Sequence, residues 1–263
     1  MIMVPPAVPV DDIKIDLRSS AFLLDVDGTI LDIAPSPREV EVPARLKRAL
    51  TKLSEHTGGA VAFVSGRLIA DLDSLFAPLQ LPAIGAHGAE LRVNGEHPRR
   101  KFDAPIDDDL RGQFAAFASK LDGIIFEDKG YSLALHYRRA PQHATVVREA
   151  VAAACAPYPV SSLEVLPGKA VVEVKSSAFN KGVGIRQLMT YPPFRGRRPI
   201  FIGDDVTDED GFAAVERHGG IAMPVGDLAE GSPHADRRAT FAGPAEVRWW
   251  LATLMSPPDA EVS

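Results

Sequence analysis

The sequence has almost no cysteine and no long apolar run. Its single cysteine, Cys155, excludes an intramolecular disulfide and is typical of a protein in a reducing compartment. No stretch approaches the length of a membrane-spanning helix. The proline-bearing residues Met1 to Val10 lack the basic start and the apolar region of a signal peptide. We therefore expect a cytoplasmic protein that has no membrane partner.

Basic charge is also scarce. The chain has 29 Lys and Arg against 35 Asp and Glu, a formal net charge of -6. Binding to a nucleic-acid backbone needs a basic face, so we expect no nucleic-acid partner. The length of 263 residues and the ordinary hydrophobic content of 46% suit one domain with an insertion, or two small domains. The sequence leaves the oligomeric state open, and a monomer is favoured.

The most informative segment is Asp25-Val26-Asp27-Gly28-Thr29, which follows the apolar run Ala21–Leu24. A continuous apolar run of this length predicts a strand buried on both faces. Ligands bind at the carboxyl ends of such strands in open α/β sheets. Two carboxylates and a glycine there suit a divalent cation and a phosphate. An acidic turn that merely caps a strand would look the same, so the segment is not specific alone.

The order of predicted elements divides the chain into two parts. Buried strands alternate with helices in residues 1–103 and 177–263, a pattern typical of a doubly wound parallel α/β sheet. Between residues 104 and 176 the pattern changes to hairpin-like strand pairs, such as Gly123–Glu127 with Tyr131–Tyr137, and a helix. We predict an α/β core of residues 1–103 and 177–263, with an α+β domain of residues 104–176 inserted into it.

Three more polar segments follow the first in order along the chain. They are Val64-Ser65-Gly66-Arg67, Asn180-Lys181-Gly182 and Gly203-Asp204-Asp205-Val206-Thr207-Asp208. Each lies where a buried strand gives way to a turn or where a helix begins. Together with Asp25–Thr29, they resemble the four motifs of the haloacid-dehalogenase-like (HAD) phosphatases. The α+β insertion is similar to the type 2 cap domain of that superfamily.

The resemblance implies a phosphatase chemistry for these segments. Asp25 is expected to be the nucleophile that forms an aspartyl-phosphate, which water then hydrolyses. Asp27 is expected to protonate the leaving oxygen and then to activate the water. Ser65 and Lys181 are expected to hold the phosphoryl oxygens. Gly28 and Thr29 complete the expected binding loop.

The resemblance also implies Mg²⁺ as the cofactor. Its expected ligands are Asp25, the backbone carbonyl of Asp27, and Asp204. Asp205 stays open as the alternative to Asp204. Asp208 is expected to orient the surrounding groups, Lys181 among them.

The inserted part resembles one family of capped phosphatases in particular. Its segments Glu127-Asp128-Lys129-Gly130, His136-Tyr137-Arg138 and Pro167-Gly168-Lys169 with Glu173, and Gly85–Glu90 before it, are similar to those of trehalose-6-phosphate phosphatases. The resemblance implies a sugar-phosphate substrate and a functional link to a trehalose-6-phosphate synthase. It also implies six sugar-binding residues: Glu127, Lys129, His136, Arg138, Lys169 and Glu173.

Several alternatives stay open at this point. His136 and Tyr137 could serve ordinary sheet packing, His87 and Glu90 a structural role, and Arg67 an ion pair with an acidic neighbour. A related enzyme could act on sucrose phosphate, mannosyl-phosphoglycerate or a hexose phosphate. A silent sugar-phosphate-binding domain that regulates a synthase is a further alternative, but it has no chemical need for Asp25 and Asp27 together.

Overall fold

A computed structural model shows how the chain is arranged. It describes residues 14–33, 40–93, 99–100, 106–159, 161–168, 170–226 and 240–254. The chain divides into two compact units. The core unit comprises Met1–Arg99 and Asn180–Ser263, and the inserted unit comprises Arg100–Phe179. No helix in the described residues is both long enough and apolar enough to span a membrane.

The described part of the core unit is built on a seven-stranded sheet. Its strands are β1 (Ser20–Leu24), β2 (Val61–Val64), β3 (Ala83–Gly85), β4 (Glu90–Arg92), β5 (Arg99–Arg100), β10 (Arg198–Gly203) and β11 (Ile221–Pro224). Their order in the sheet is β11-β10-β1-β2-β3-β4-β5. Strands β11, β10, β1, β2 and β3 pair in parallel, and β4 is antiparallel to β3. The mostly parallel sheet agrees with the predicted α/β core.

Helices cover both faces of this sheet. They are α1 (Ala44–His56), α2 (Ile69–Phe76), α5 (Lys181–Leu188), α6 (Glu209–Arg217) and α7 (Pro244–Thr253). Strand β1 is buried along its whole length because alternate side chains enter two different clusters. Phe22 and Leu24 pack with α1, α2 and α7 on one face, and Ala21 and Leu23 pack with α5 and α6 on the other. The apolar run before Asp25 is therefore continuous because both sides of the strand are in the core.

The inserted unit has a separate hydrophobic core. Its described strands are β6 (Ile125–Asp128), β7 (Ser132–His136), β8 (Leu163–Gly168) and β9 (Val171–Ser176), and its described helices are α3 (Asp108–Ala118) and α4 (Ala144–Cys155). The strands form an antiparallel sheet with the order β6-β7-β9-β8. Leu133 and Val174 pack against Phe114 and Val147 of these helices on one face of the sheet. The other face carries most of the polar side chains discussed below.

Candidate active site

The four polar segments meet at the carboxyl edge of the core sheet. Asp25 follows β1, Ser65 follows β2 and Asp204 follows β10, while Lys181 is the first residue of α5. Backbone hydrogen bonds extend the ladder past the strand ends, from Asp25 N to the Ile202 carbonyl at 2.9 Å and from Ser65 N to the Ile84 carbonyl at 2.9 Å. Neighbouring parallel strands end at the same edge, so residues far apart in sequence come together there.

Lys181 lies at the centre of this cluster. Its Nζ donates to Asp25 Oδ1 at 2.8 Å and to Asp208 Oδ1 at 2.6 Å. The Lys181 side chain is 3% exposed, that of Asp25 6% and that of Asp208 0%. Burial opposes the lysine's charge, but the two carboxylates outweigh it and raise the pKa of Lys181 above its usual value. Lys181 is thus a buried, permanently charged ammonium that touches Asp25.

Thr29 connects Asp25 with Asp204. Its Oγ1 lies 3.0 Å from Asp25 Oδ2 and 2.9 Å from Asp204 Oδ1. The turn from Asp25 to Thr29 needs a glycine at position 28, because Gly28 has a φ of +87°. A Cβ atom at Gly28 would lie 2.1 Å from Asp204 Oδ2. The glycine is therefore required both by its conformation and by the close approach of the Asp204 carboxylate.

Three carboxylates form a cluster that could hold a metal ion. One oxygen each of Asp25, Asp204 and Asp208 lie within 4.8 Å of one another. Burial, together with the charges of Asp25 and Asp208, raises the pKa of Asp204 to about 8. Burial likewise raises the pKa of Asp208 to about 7, although the charge of Lys181 opposes the rise. An all-oxygen, strongly anionic group of this kind fits a hard divalent cation such as Mg²⁺.

The side chains of Asp204 and Asp205 have different surroundings. Asp204 belongs to the acidic cluster, while the exposed Asp205 accepts from its neighbour Val206 N at 2.7 Å and caps the 3₁₀ turn Val206–Asp208. Asp208 organises this loop, because its Oδ2 accepts from the backbone N–H groups of Asp204 at 3.1 Å and Asp205 at 3.0 Å. The geometry thus favours Asp204 over Asp205 as the metal-facing residue.

Asp27 is engaged by Arg67. The guanidinium donates from Nε to Asp27 Oδ2 and from Nη2 to Asp27 Oδ1, both at 2.6 Å. The Arg67 side chain is 15% exposed and that of Asp27 is 36% exposed. Ser65 belongs to the same arrangement, because its Oγ accepts from Arg67 N at 3.1 Å. Arg67 therefore forms the ion pair with an acidic neighbour that the sequence left open, and the two-pronged contact fixes the carboxylate orientation.

Two other residues have structural contacts. Glu90 Oε2 accepts from Ile69 N at 2.8 Å, which satisfies a free N–H in the first turn of α2. His87 has a φ of +53°, and its ring lies so close to Gly66 that a Cβ there would be 2.4 Å from Nε2. Through these contacts, Glu90 and His87 take part in the local fold of the core unit.

The polar face of the inserted sheet gathers four of the predicted sugar-binding residues. Glu127, Ala134 and Glu173 are paired across neighbouring strands and so point to the same side. His136 Nε2 lies 2.8 Å from Glu127 Oε2, and Lys129 Nζ donates to Glu173 Oε2 at 3.0 Å. The hydrogen bond with His136 lowers the pKa of Glu127 despite partial burial. Ala134 lies between Glu127 and Glu173 in this pairing, and its small side chain is on the same side of the sheet as both.

The remaining two predicted sugar-binding residues are placed differently. Arg138 is exposed in the turn that follows β7, beyond the end of the sheet. Lys169 lies outside the described residues. Two buried polar residues of the same sheet face were not predicted: Ser132 of β7 and Lys175 of β9 are each 2% exposed. Alternation in β9 places Lys175 on the side of Glu173, and this was the available sequence signal.

Comparison with known proteins gives consistent matches. The family model described as trehalose-phosphatase matches residues 23–242. The trehalose-6-phosphate phosphatase of Escherichia coli (strain K12) is 38% identical over 235 residues, which cover 89% of this chain and 86% of that protein. A crystal structure of a trehalose-6-phosphate phosphatase related protein has a TM-score of 0.68 and 26% identity, covering 89% of this chain and 96% of that one.

The fold extends to more distant phosphatases. A phosphatase of the haloalkanoate (HAD) superfamily from Bacteroides thetaiotaomicron has a TM-score of 0.59 at 16% identity, and the match covers 94% of this chain and 97% of that one. At that identity the likeness shows the fold alone. The predicted fold class, a HAD-type α/β core with an inserted α+β part, is confirmed.

Proposed function

The chain belongs to the trehalose-phosphatase family, and from that premise we propose that it hydrolyses trehalose 6-phosphate to trehalose and phosphate, the last step of trehalose synthesis. The observation that carries the proposal is the buried contact between Lys181 and Asp25 at the carboxyl edge of the sheet. A carboxylate held beside a fixed cation is suited to attack a phosphoryl group whose charge that cation neutralises.

In the proposed reaction, an Asp25 oxygen attacks phosphorus and the bond from phosphorus to the sugar oxygen breaks. The sugar oxygen leaves with a proton from Asp27, and the phosphoryl group remains on Asp25 as an acyl phosphate. Asp27 then takes a proton from the water that attacks the phosphorus of the acyl phosphate. The bond from phosphorus to Asp25 breaks, so that phosphate is released, Asp25 is again a carboxylate and Asp27 is again protonated. Lys181 and Ser65 hold the phosphoryl oxygens throughout. The two-pronged pair between Asp27 and Arg67 must open before Asp27 can carry the transferred proton.

The proposed cofactor is Mg²⁺, held by Asp25, Asp204 and the backbone carbonyl of Asp27. The acidic cluster of Asp25, Asp204 and Asp208 supports this assignment through its oxygen donors and its charge. Bound there, the ion would neutralise negative charge on the phosphoryl group and on the carboxylates. Asp208 is assigned a positioning role, because its two oxygens are already engaged with Lys181 and with the backbone of the loop.

The proposed sugar-recognition groups lie on the inserted unit. Glu127 and Glu173 offer hydrogen-bond acceptors, and Lys129 and His136 offer donors. Each sugar hydroxyl both donates and accepts hydrogen bonds, so neighbouring hydroxyls need groups of both kinds. The ion pair between Lys129 and Glu173 and the hydrogen bond between His136 and Glu127 hold both kinds of group in place before substrate binds. Arg138 and Lys169 are proposed to contribute further donors, and Gly28 and Thr29 are proposed to contact the phosphate.

We propose a monomeric, cytoplasmic enzyme that uses the product of a trehalose-6-phosphate synthase. The direct test is phosphate release from trehalose 6-phosphate, with sucrose 6-phosphate and glucose 6-phosphate in parallel, each with Mg²⁺ and with chelator. We expect metal-dependent release from trehalose 6-phosphate, at least about 100-fold above the other two in kcat/KM. Preference for another sugar phosphate would refute the proposal that the polar residues of the inserted unit recognise trehalose 6-phosphate. No release from any of them would favour a binding domain.

The raised pKa of Asp204 gives a second prediction, which concerns metal binding. In the metal-free protein its pKa is about 8 instead of 3.8, so the folded state holds a proton that the unfolded state loses. The free energy of unfolding should therefore fall as the pH rises from about 4 to about 8. A cation binds the ionised form and displaces that proton, so Mg²⁺ should raise the melting temperature more at about pH 8.5 than at about pH 6.

Thermal unfolding with and without Mg²⁺ at the two pH values measures this difference. Calorimetric titration in buffers of different ionisation enthalpy should show proton release on binding near neutral pH. The matched control is Asp205→Asn, which removes a neighbouring carboxylate outside the cluster and should leave the pH dependence intact. An equal metal effect at both pH values would contradict the assignment of Asp204.

A further inference from the structure

Residues 176–180 join the inserted unit to Lys181, and the buried side chain of Lys175 contacts this segment. Lys175 Nζ donates to the Phe179 carbonyl at 2.7 Å and also contacts the carboxylate of Glu164. The same ammonium lies 5.4 Å from the centroid of the Phe179 ring. With its side chain 3% exposed, Lys175 has exchanged solvent for these partners. The catalytic chemistry proposed above does not use it.

Other contacts fix the rest of this segment to the inserted unit. Ser177 N donates to the Ser162 carbonyl at 3.1 Å. The Phe179 ring is fully buried and packs edge-to-face on Tyr131, with ring centroids 6.2 Å apart. The chain up to and including Phe179 is therefore part of the inserted unit's own packing.

The next residue is fixed within the core unit instead. The Asn180 side chain accepts from Val183 N at 2.8 Å and caps α5. Its backbone packs so closely on Gly88 that a Cβ there would lie 2.3 Å from the Asn180 carbonyl oxygen. Lys181 follows directly and is held by Asp25 and Asp208. The anchoring thus changes from one unit to the other between two consecutive residues.

We propose that this connection bends at the Phe179–Asn180 peptide unit, and that Lys175 is the positioning residue that confines the bend there. Without the Lys175 contact to the Phe179 carbonyl, the exposed residues Ser177 and Ala178 would join the flexible segment. The pivot would then lengthen from one peptide unit to several residues. The part of this proposal that concerns activity rests on the proposed function, because it assumes that the inserted unit must be oriented to recognise the sugar.

Hydrogen exchange of the 263-residue protein tests the pivot directly. In Lys175→Met, amide exchange across residues 176–179 should be about 10-fold faster or more, while the amide of Val183 in α5 should be unchanged. Glu164→Gln is the matched control, since it removes the negative charge beside Lys175 but leaves the Phe179 carbonyl contact, and it should exchange as the wild type does. Unchanged exchange in Lys175→Met would overturn the proposal.

A second variant covers the case in which Lys175→Met does not fold. Phe179→Leu keeps the carbonyl contact and removes the ring contacts with Tyr131 and Lys175. Its exchange across residues 176–179 should rise by a smaller factor, again without change at Val183. A rise of about 10-fold or more in Phe179→Leu would overturn the proposal, because the ring contacts would then hold the segment without help from the Lys175 contact to the carbonyl.

Activity separates a positioning role from general support of the fold. Lys175→Met should lower kcat/KM for trehalose 6-phosphate about 10-fold, and Lys175→Arg should restore part of it. Hydrolysis of a small aryl phosphate, which offers nothing for sugar-binding groups to recognise, should be unchanged. An equal loss on both substrates would contradict the positioning role. If the wild type does not hydrolyse trehalose 6-phosphate, the proposed function fails, while the exchange experiment still decides the pivot.

Discussion

Replacement of Asp25 by asparagine should lower kcat for trehalose 6-phosphate by about 10⁴-fold or more, because an amide cannot form the covalent phosphoryl intermediate. The variant should remain folded. Lys181 keeps its contact with Asp208 at 2.6 Å, and Thr29 keeps a partner in Asp204 at 2.9 Å. Removal of the Asp25 charge should also bring the pKa of Asp204 down, since that charge is one cause of its elevation. The melting temperature of the metal-free variant should therefore equal or exceed that of the wild type.

Steady-state phosphate release and thermal unfolding measure these two effects. Mass spectrometry of acid-quenched reactions adds a direct readout of the intermediate. The Asp27→Asn protein should accumulate one phosphoryl group when it is given an activated aryl phosphate, because its nucleophile is intact and its hydrolysis step is slowed. Asp25→Asn should accumulate none. Phosphoryl transfer to the Asp25→Asn protein would assign the nucleophile to another residue.

Replacement of Lys181 by methionine should remove both activity and stability. The buried ammonium neutralises Asp25 and Asp208, whose side chains are 6% and 0% exposed. A methionine of similar length would leave both carboxylates without their cation, at a cost of about 3–5 kcal/mol in the free energy of unfolding. The rate should fall about 10³-fold, because the phosphoryl oxygens lose a fixed positive charge.

The destabilisation should depend on pH in a defined direction. At about pH 6, Asp204 and Asp208 can take up protons because their pKa values are already raised to about 8 and about 7. The loss of stability should therefore be smaller there than at about pH 8.5, where the uncompensated charges remain. Denaturant unfolding of the metal-free protein at the two pH values measures the difference. Lys52→Met, an exposed lysine of α1, is the matched control and should change neither stability nor rate. A stable, active Lys181→Met protein would contradict the central role of this cation.

The sequence was most informative where local rules govern the outcome. The apolar run before Asp25 predicted a strand buried on both faces, and β1 is such a strand. Its neighbours in the sheet are parallel, so the residues that follow each strand had to meet at one edge. Asp25, Ser65 and Asp204 could therefore be placed at one edge of the sheet from the sequence pattern. Lys181, which begins a helix, was added to them only by the resemblance to the HAD phosphatases. The Gly28 requirement was also local, because the turn itself needs a positive φ.

Side-chain partners could not be predicted in the same way. The sequence around Arg67 does not indicate that its guanidinium donates two hydrogen bonds to Asp27, because that pairing depends on the turns after two separate strands. The same holds for Asp208, whose two oxygens connect Lys181 to the loop that carries Asp204. Such contacts require positions accurate to within a hydrogen-bond length, and sequence patterns define positions only to within a residue or two.

The sequence by itself determined the order of the strands and helices, the α/β core with its α+β insertion, and the polar residues that follow buried strands. Hydrophobic periodicity and turn chemistry act over a few residues, so they can be read from the chain alone. Only the tertiary structure decided that Arg67 pairs with Asp27 and that Lys175 donates a hydrogen bond to the carbonyl of Phe179. It also decided that Asp204 and not Asp205 belongs to the acidic cluster. These outcomes depend on long-range packing, which brings together groups that carry no local sign of one another.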